Sequence, residues 1–148
     1  MSDPETSLLI EQASPRIGRT ALQAFAETLR MDLCAGRPFA CLLTGDKELR
    51  RLNKQFLGQA YATDVLSFPS GEPIGPLGDI AISLDRAKAQ AAEFGHRIEQ
   101  EVRILLLHGV LHLLGHDHET DGGKMRRLES KWREKYGLPT GLIERAGP

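Results

Sequence analysis

From Ile104 to Leu114 the chain reads Ile-Leu-Leu-Leu-His-Gly-Val-Leu-His-Leu-Leu, and its apolar residues surround a helical axis instead of keeping to one side. A helix that is apolar all round has no face to offer water, so other elements must wrap it. A chain of 148 residues is long enough for one layered domain built around such a segment and short of two. Inside this apolar run stand His108 and His112. A lone core histidine usually finds ordinary hydrogen bonds. Two at i and i+4 present their rings to one point, and each buried ring nitrogen needs a partner. A shared metal ion satisfies one nitrogen of each ring at once.

Gly115 follows, a residue able to take the left-handed conformation that ends a helix and turns the chain back. That turn lets His118 approach the same point from outside the helix. Three neutral imidazoles suit a single zinc ion per chain, with a fourth position left to water in the catalytic pattern. His116, between the ligands, reads as a wall or exposed residue, because a catalytic site wants three protein ligands. Asp117 fits two roles: a partner for the free N–H of a ligand histidine, or a cap for the helix starting near Thr120. The spacing of His108, His112 and His118 is that of the metzincin zinc peptidases, which place Glu directly after the first histidine as general base. Gly109 stands there in this chain and has no side chain to take a proton. A peptidase built on this segment would lack its base.

Around this centre the patterns of periodicity and turn residues predict a strand over 7–10 and a helix opened by Ser14 as N-cap before Pro15 and running to about 31. A buried strand over 38–43 precedes a helix capped by Asp46 and reaching about 56. Strands over 64–68 and 79–84 flank a Gly/Pro-rich loop at 70–77. A helix over 85–94 is stopped by Gly95, the central helix covers 97–114, and a last helix over 122–136 turns Met125, Leu128, Trp132 and Tyr136 inward. Interleaved strands and helices give an α/β or α+β domain spanning 1–148, with 1–6 and 138–148 as flexible ends.

A net charge of -1 does not select nucleic acid as a partner, although a local patch can override a neutral average. The two cysteines, Cys34 and Cys41, match no metal or redox spacing and read as reduced thiols. The acidic N-terminus lacks the pattern of a signal peptide. No apolar run approaches the ~20 residues of a membrane span, so a soluble, cytoplasmic protein with no membrane partner is expected. On the second helix Lys47, Arg50, Arg51 and Lys54 lie opposite Leu49, Leu52 and Phe56. This basic face is either a solvated side or a track for an RNA backbone. On the last helix Lys124, Arg126, Arg127, Lys131 and Arg133 are interleaved with Glu129 and Glu134 and read as ordinary surface. His96, beside Gly95, reads as a helix-end residue with no metal role.

The segment His-Gly-x-Leu-His-Leu-x-Gly-x-Asp-His, preceded by Asp64-Val65-Leu66-Ser67-Phe68-Pro69 and by Gly78-Asp79-Ile80, resembles the YbeY-type endoribonucleases. The match of motif and element order covers about 44–136. The resemblance implies Zn2+ on His108, His112 and His118 and an α+β fold with a small mixed four-stranded sheet and about five helices. It also implies a role in maturing the 3′ end of small-subunit (16S) rRNA and in ribosome quality control, with rRNA and the small ribosomal subunit as partners. Water on the metal or an RNA 2′-OH then serves as nucleophile. Two positions depart from the family's pattern: Leu57 stands before Gly58 where an arginine is usual, and Ala62 replaces the usual proline before Thr63. A ribosome-associated binding factor and a metal hydrolase of another bond are the rival readings.

Overall fold

The computed structural model describes residues 7–10, 17–58, 63–117 and 120–139. Four strands, β1 (Ser7–Ile10), β2 (Ala40–Thr44), β3 (Val65–Pro69) and β4 (Gly78–Ser83), form one sheet in the order β1-β2-β4-β3. β1 and β4 each run parallel to β2, and β3 pairs antiparallel with β4 at the sheet edge. The sheet is therefore mixed. Five helices accompany it among the described residues: α1 (Arg19–Leu33), α2 (Asp46–Leu57), α3 (Leu84–Phe94), α4 (Ile98–Leu113) and α5 (Lys124–Lys135). This is the expected α+β architecture.

Alternation along the strands divides the core. Leu8, Cys41, Leu43, Ile80 and Ile82 point to the face covered by α1, α3 and α4, where they join Leu22, Leu29, Ala87, Val102 and Leu105. Leu66 and Ala81 point the other way, onto Leu49 of α2. Fully burying each Leu or Ile of the larger cluster contributes ~1.5–3 kcal/mol. α4 has eleven buried residues, among them Leu105, Leu106, Leu107, Val110 and Leu111. It is wrapped by α1, α3, α5 and the sheet, as its all-round apolar sequence requires. Beyond α2, the second face of the sheet carries an apolar groove of ≈ 450 Å³ lined by Leu9, Leu42, Leu52, Phe56 and Phe68, with Asp79 among its lining residues.

Several boundaries differ from the sequence expectation. α1 begins at Arg19 because Gly18 is extended and acts as N-cap, so Ile17 lies outside the helix, while Ser14 and Pro15 fall outside the described residues. Asp46 does not cap α2. Gly45 holds that position, and the Asp46 carboxylate instead accepts from Ser83 Oγ at 2.6 Å, tying α2 to the end of β4. Leu138, assigned to the flexible tail by sequence, is buried, because the chain turns after α5 and its N–H reaches the Arg133 carbonyl at 3.0 Å. The loop at 70–77 is tied down by Arg37, whose guanidinium donates to the Glu72 and Gly75 carbonyls at 2.8 Å. No described helix is long and apolar enough to cross a membrane.

Both cysteines are free and buried. Burial pushes Cys41 up to about 12 from the ordinary 9.0. Burial also pushes Cys34 up to about 11, although Arg37 and Arg30 pull in the opposite direction. The thiolate is the reactive form, so native protein at pH 8 is expected to alkylate far more slowly than unfolded protein, as mass spectrometry after timed iodoacetamide exposure would show. Both folded values lie above the unfolded one. The stability these thiols contribute is therefore complete below pH ~8.5 and is lost as pH rises toward 11 and 12. Native-state alkylation as fast as that in denaturant would contradict their burial.

Candidate metal centre

One turn apart on α4, His108 is buried and His112 half-buried, and their ring centroids lie 4.7 Å apart. Each ring is held through its Nδ1. His108 Nδ1 donates to Glu129 Oε2 of α5 at 2.8 Å, and His112 Nδ1 donates to the backbone carbonyl of His116 at 2.9 Å. A carbonyl can only accept, and an ionised carboxylate likewise. Both Nδ1 atoms therefore carry the proton, and in neutral rings both Nε2 atoms present lone pairs.

Those two Nε2 atoms face one another at 3.1 Å. Two lone pairs at that distance repel unless a positive species lies between or beside them. A metal ion is the species that two neutral imidazoles with anchored far sides are suited to take. The donor set thus fits a transition metal. Among the described residues no group of three metal-ligating side chains assembles. His118, the third ligand expected from sequence, lies outside the described residues.

The turn that follows α4 is visible. Gly115 has φ +95, its N–H reaches the His112 carbonyl at 3.0 Å, and the His116 N–H reaches the Leu111 carbonyl at 3.1 Å. This pair of bonds is the Schellman ending of a helix. It does more than reverse the chain, because it also brings the His116 carbonyl onto His112 Nδ1. The His116 contribution to the site is thus made by its backbone. Asp117 is exposed, and its carbonyl accepts the Thr120 N–H at 3.2 Å. The N-cap of α5 is Gly123, and the Asp121 carboxylate two residues earlier accepts from the Gly123 and Met125 N–H groups. Burial raises the Asp121 pKa, but the hydrogen bonds from Met125, Gly123 and Lys124, with His116 nearby, leave it lowered.

Gly109 has a structural role as well as lacking a base. Its carbonyl accepts from Ser67 Oγ of β3 at 2.9 Å. A Cβ there would lie 3.0 Å from Ile80 Cγ2 and 3.3 Å from Ser67 Oγ. A side chain at 109 would therefore enter the seam between α4 and the sheet.

Glu129 corrects the reading of α5 as ordinary surface, because it is 0% exposed and holds His108. A signal for it existed. Glu129 is four residues after the inward Met125 and three before Trp132, so it sits in the apolar phase of the helix. His96 does end α3, with its N–H on the Ala91 carbonyl, and its ring meets the buried Glu101 at 2.6 Å. Lys47, Arg50, Arg51 and Lys54 are all exposed on α2, which packs on the face of the sheet opposite α4. Arg51 is also paired with Glu48.

Residues 5–137 match the family described as Endoribonuclease YbeY. A protein of that description from Solibacter usitatus is 61% identical over 98% of each chain. Another, from Sulfurovum, is 37% identical over 93% of this chain and 95% of its own. A solution structure of a Thermotoga maritima protein superposes with a TM-score of 0.60 at 30% identity, covering 88% of this chain and 89% of the other.

Proposed function

The chain belongs to the endoribonuclease YbeY family, and from that premise we propose that it is a metal-dependent endoribonuclease of rRNA precursors. In this reading His108, His112 and His118 hold one Zn2+, and the enzyme matures the 3′ end of 16S rRNA and serves ribosome quality control in the cytoplasm. The observation that carries the metal assignment is the pair of Nε2 atoms facing each other at 3.1 Å with both Nδ1 atoms anchored.

When bound, such an ion supplies Lewis acidity, polarising a phosphoryl oxygen and making water a stronger acid. The chain does the rest. Glu129 and the His116 carbonyl fix the tautomer and angle of the two described rings, so little reorganisation is needed when charge develops on the phosphate. Gly109 takes no proton. The nucleophile, water or an RNA 2′-OH, must therefore lose its proton elsewhere. Leu57, half exposed at the end of α2, brings no charge to a phosphate, so Lys54, Arg51 and Arg50 on the same helix are the nearer cations in sequence.

The test is cleavage of a 3′-extended small-subunit rRNA fragment by metal-loaded protein, chelated protein and His112→Ala. Loaded wild type is expected to cut within the single-stranded extension and to contain about one zinc per chain by elemental analysis. Chelated protein and the variant should not cut. Equal cutting by all three would sink the metal assignment. Binding of the small subunit without any cutting would make the chain an assembly factor. Metal-dependent cleavage confined to another bond would make it a different hydrolase.

A further inference from the structure

The outer side of α5 has no part in the site just described. The helix carries Lys124, Arg126, Arg127, Lys131, Arg133 and Lys135 against only Glu129 and Glu134, in a chain whose net charge is -1. Glu129 is turned inward onto His108, so the surface of α5 is more cationic than its sequence suggests. By comparison, α2 sets Lys47, Arg50, Arg51 and Lys54 against Asp46 and Glu48, with Arg51 already bound to Glu48.

Lys124, Arg127, Lys131 and Lys135 fall at i, i+3, i+7 and i+11, which places them in one strip along the helix, ~16 Å from end to end. All four are exposed. Among the described residues Lys124, Arg127 and Lys131 meet no carboxylate within ion-pair distance, and Lys135 stands 3.8 Å from Asp32. Two of the ammonium groups are held in place. Lys131 Nζ lies 5.1 Å and Lys135 Nζ 4.8 Å from the Trp132 ring centre, and that ring stacks on Tyr136, whose hydroxyl donates to Asp32 at 2.8 Å. A row of cations, two of them ordered on an aromatic anchor and Arg127 on the Gly122 carbonyl, is suited to a partner with regularly spaced negative charge. The strip lies ~200° around the helix from Glu129, and so faces away from the imidazoles by about a helix diameter, ~10 Å.

We propose that this strip binds the phosphate backbone of RNA flanking the cleavage point, several nucleotides from the bond that breaks. The inference rests on the endoribonuclease reading and adds a second contact to it. RNA is favoured over an acidic protein because the strip is a single row of charge and no exposed large apolar side chain stands on α5, whereas protein interfaces bury an apolar centre.

The experiment replaces all four residues at once, as Lys124→Gln, Arg127→Gln, Lys131→Gln and Lys135→Gln, keeping helix-forming side chains of similar length. Circular dichroism and zinc content verify that the fold and the metal centre persist. Wild type and variant are compared in binding and cleavage of an oligoribonucleotide of about six nucleotides and one of about forty, which brackets the roughly 4–16 nucleotides that a single-strand-binding OB fold tracks. On the long RNA the variant should bind roughly tenfold more weakly, with KM raised and kcat unchanged, and the slope of log K against log salt should fall by about 3. On the short RNA the two proteins should behave alike. Unchanged affinity and salt slope on the long RNA would overturn the proposal. So would a variant that handles both RNAs normally yet loses the small ribosomal subunit, which would assign the strip to a protein partner. Failure of wild type to bind or cut either RNA would instead overturn the endoribonuclease reading itself.

Discussion

Glu129→Ala is expected to lower metal affinity by about 10–100-fold while His108, His112 and His118 remain in place. The Glu129 carboxylate is the partner that keeps the proton on His108 Nδ1 and the lone pair on Nε2. Without it the proton is free to move to Nε2, and the ring is free to turn. Either change would take away one of the proposed metal ligands without removing a histidine. The fold should survive with a loss of ~1–3 kcal/mol, the cost of leaving one buried donor unsatisfied. Glu129→Gln separates orientation from charge, because its amide oxygen can still accept from Nδ1 but brings no negative charge to the ring. Its affinity should fall between those of wild type and Glu129→Ala. Chelator competition monitored by metal release measures all three. Wild-type affinity in a folded Glu129→Ala protein would show that the 2.8 Å contact has no bearing on the metal centre.

What sequence could and could not reveal about this site follows from the range of the interactions involved. The i, i+4 histidines and the Gly115 turn are local features, fixed by helical geometry and by one residue's tolerance of positive φ, and both were readable. The burial of α4 was readable too, since only a surrounded helix can be apolar on every side. The partner of His108 lies 21 residues away on another helix. Its identity depends on how α4 and α5 cross, which no periodicity encodes. The inward phase of Glu129 still marked it as a charge that needed a buried partner, and reading α5 as a surface helix hid that mark. Strand order was likewise out of reach. β1 and β4 pair with β2 through long connections, and alternation shows which residues share a face without showing which strands are neighbours. Element ends shifted where a local preference met a tertiary partner. Asp46 is a good N-cap residue in isolation, but Ser83 and Arg86 engage its carboxylate and Gly45 takes the cap position.

Gly109→Glu, which writes the peptidase sequence into this helix, is expected to destabilise the fold instead of conferring proteolysis. In a metzincin the glutamate after the first histidine is the base. Here position 109 looks into the sheet, where a Cβ already comes within 3.0 Å of Ile80 Cγ2 and 3.2 Å of Ile80 Cδ1. Ile80 is buried at 1% exposure, and the neighbouring Val110 is at 0%, so a carboxylate added there has no route to water. Overpacking costs about 1–3 kcal/mol, and a buried charge without a partner adds several more. Together these approach the whole stability of a small domain, about 5–15 kcal/mol. Gly109→Ala isolates the steric part. Alanine gains ~1 kcal/mol of helix propensity over glycine, while Ile80 must yield by a few tenths of an ångström, so a net change within about 1–2 kcal/mol is expected. Thermal unfolding followed by circular dichroism should therefore show a small shift for alanine and a collapse of the transition for glutamate. A Gly109→Glu protein that melts like wild type and digests a denatured protein substrate in a zinc-dependent manner would show that position 109 faces the metal, and the orientation of α4 described above would be wrong.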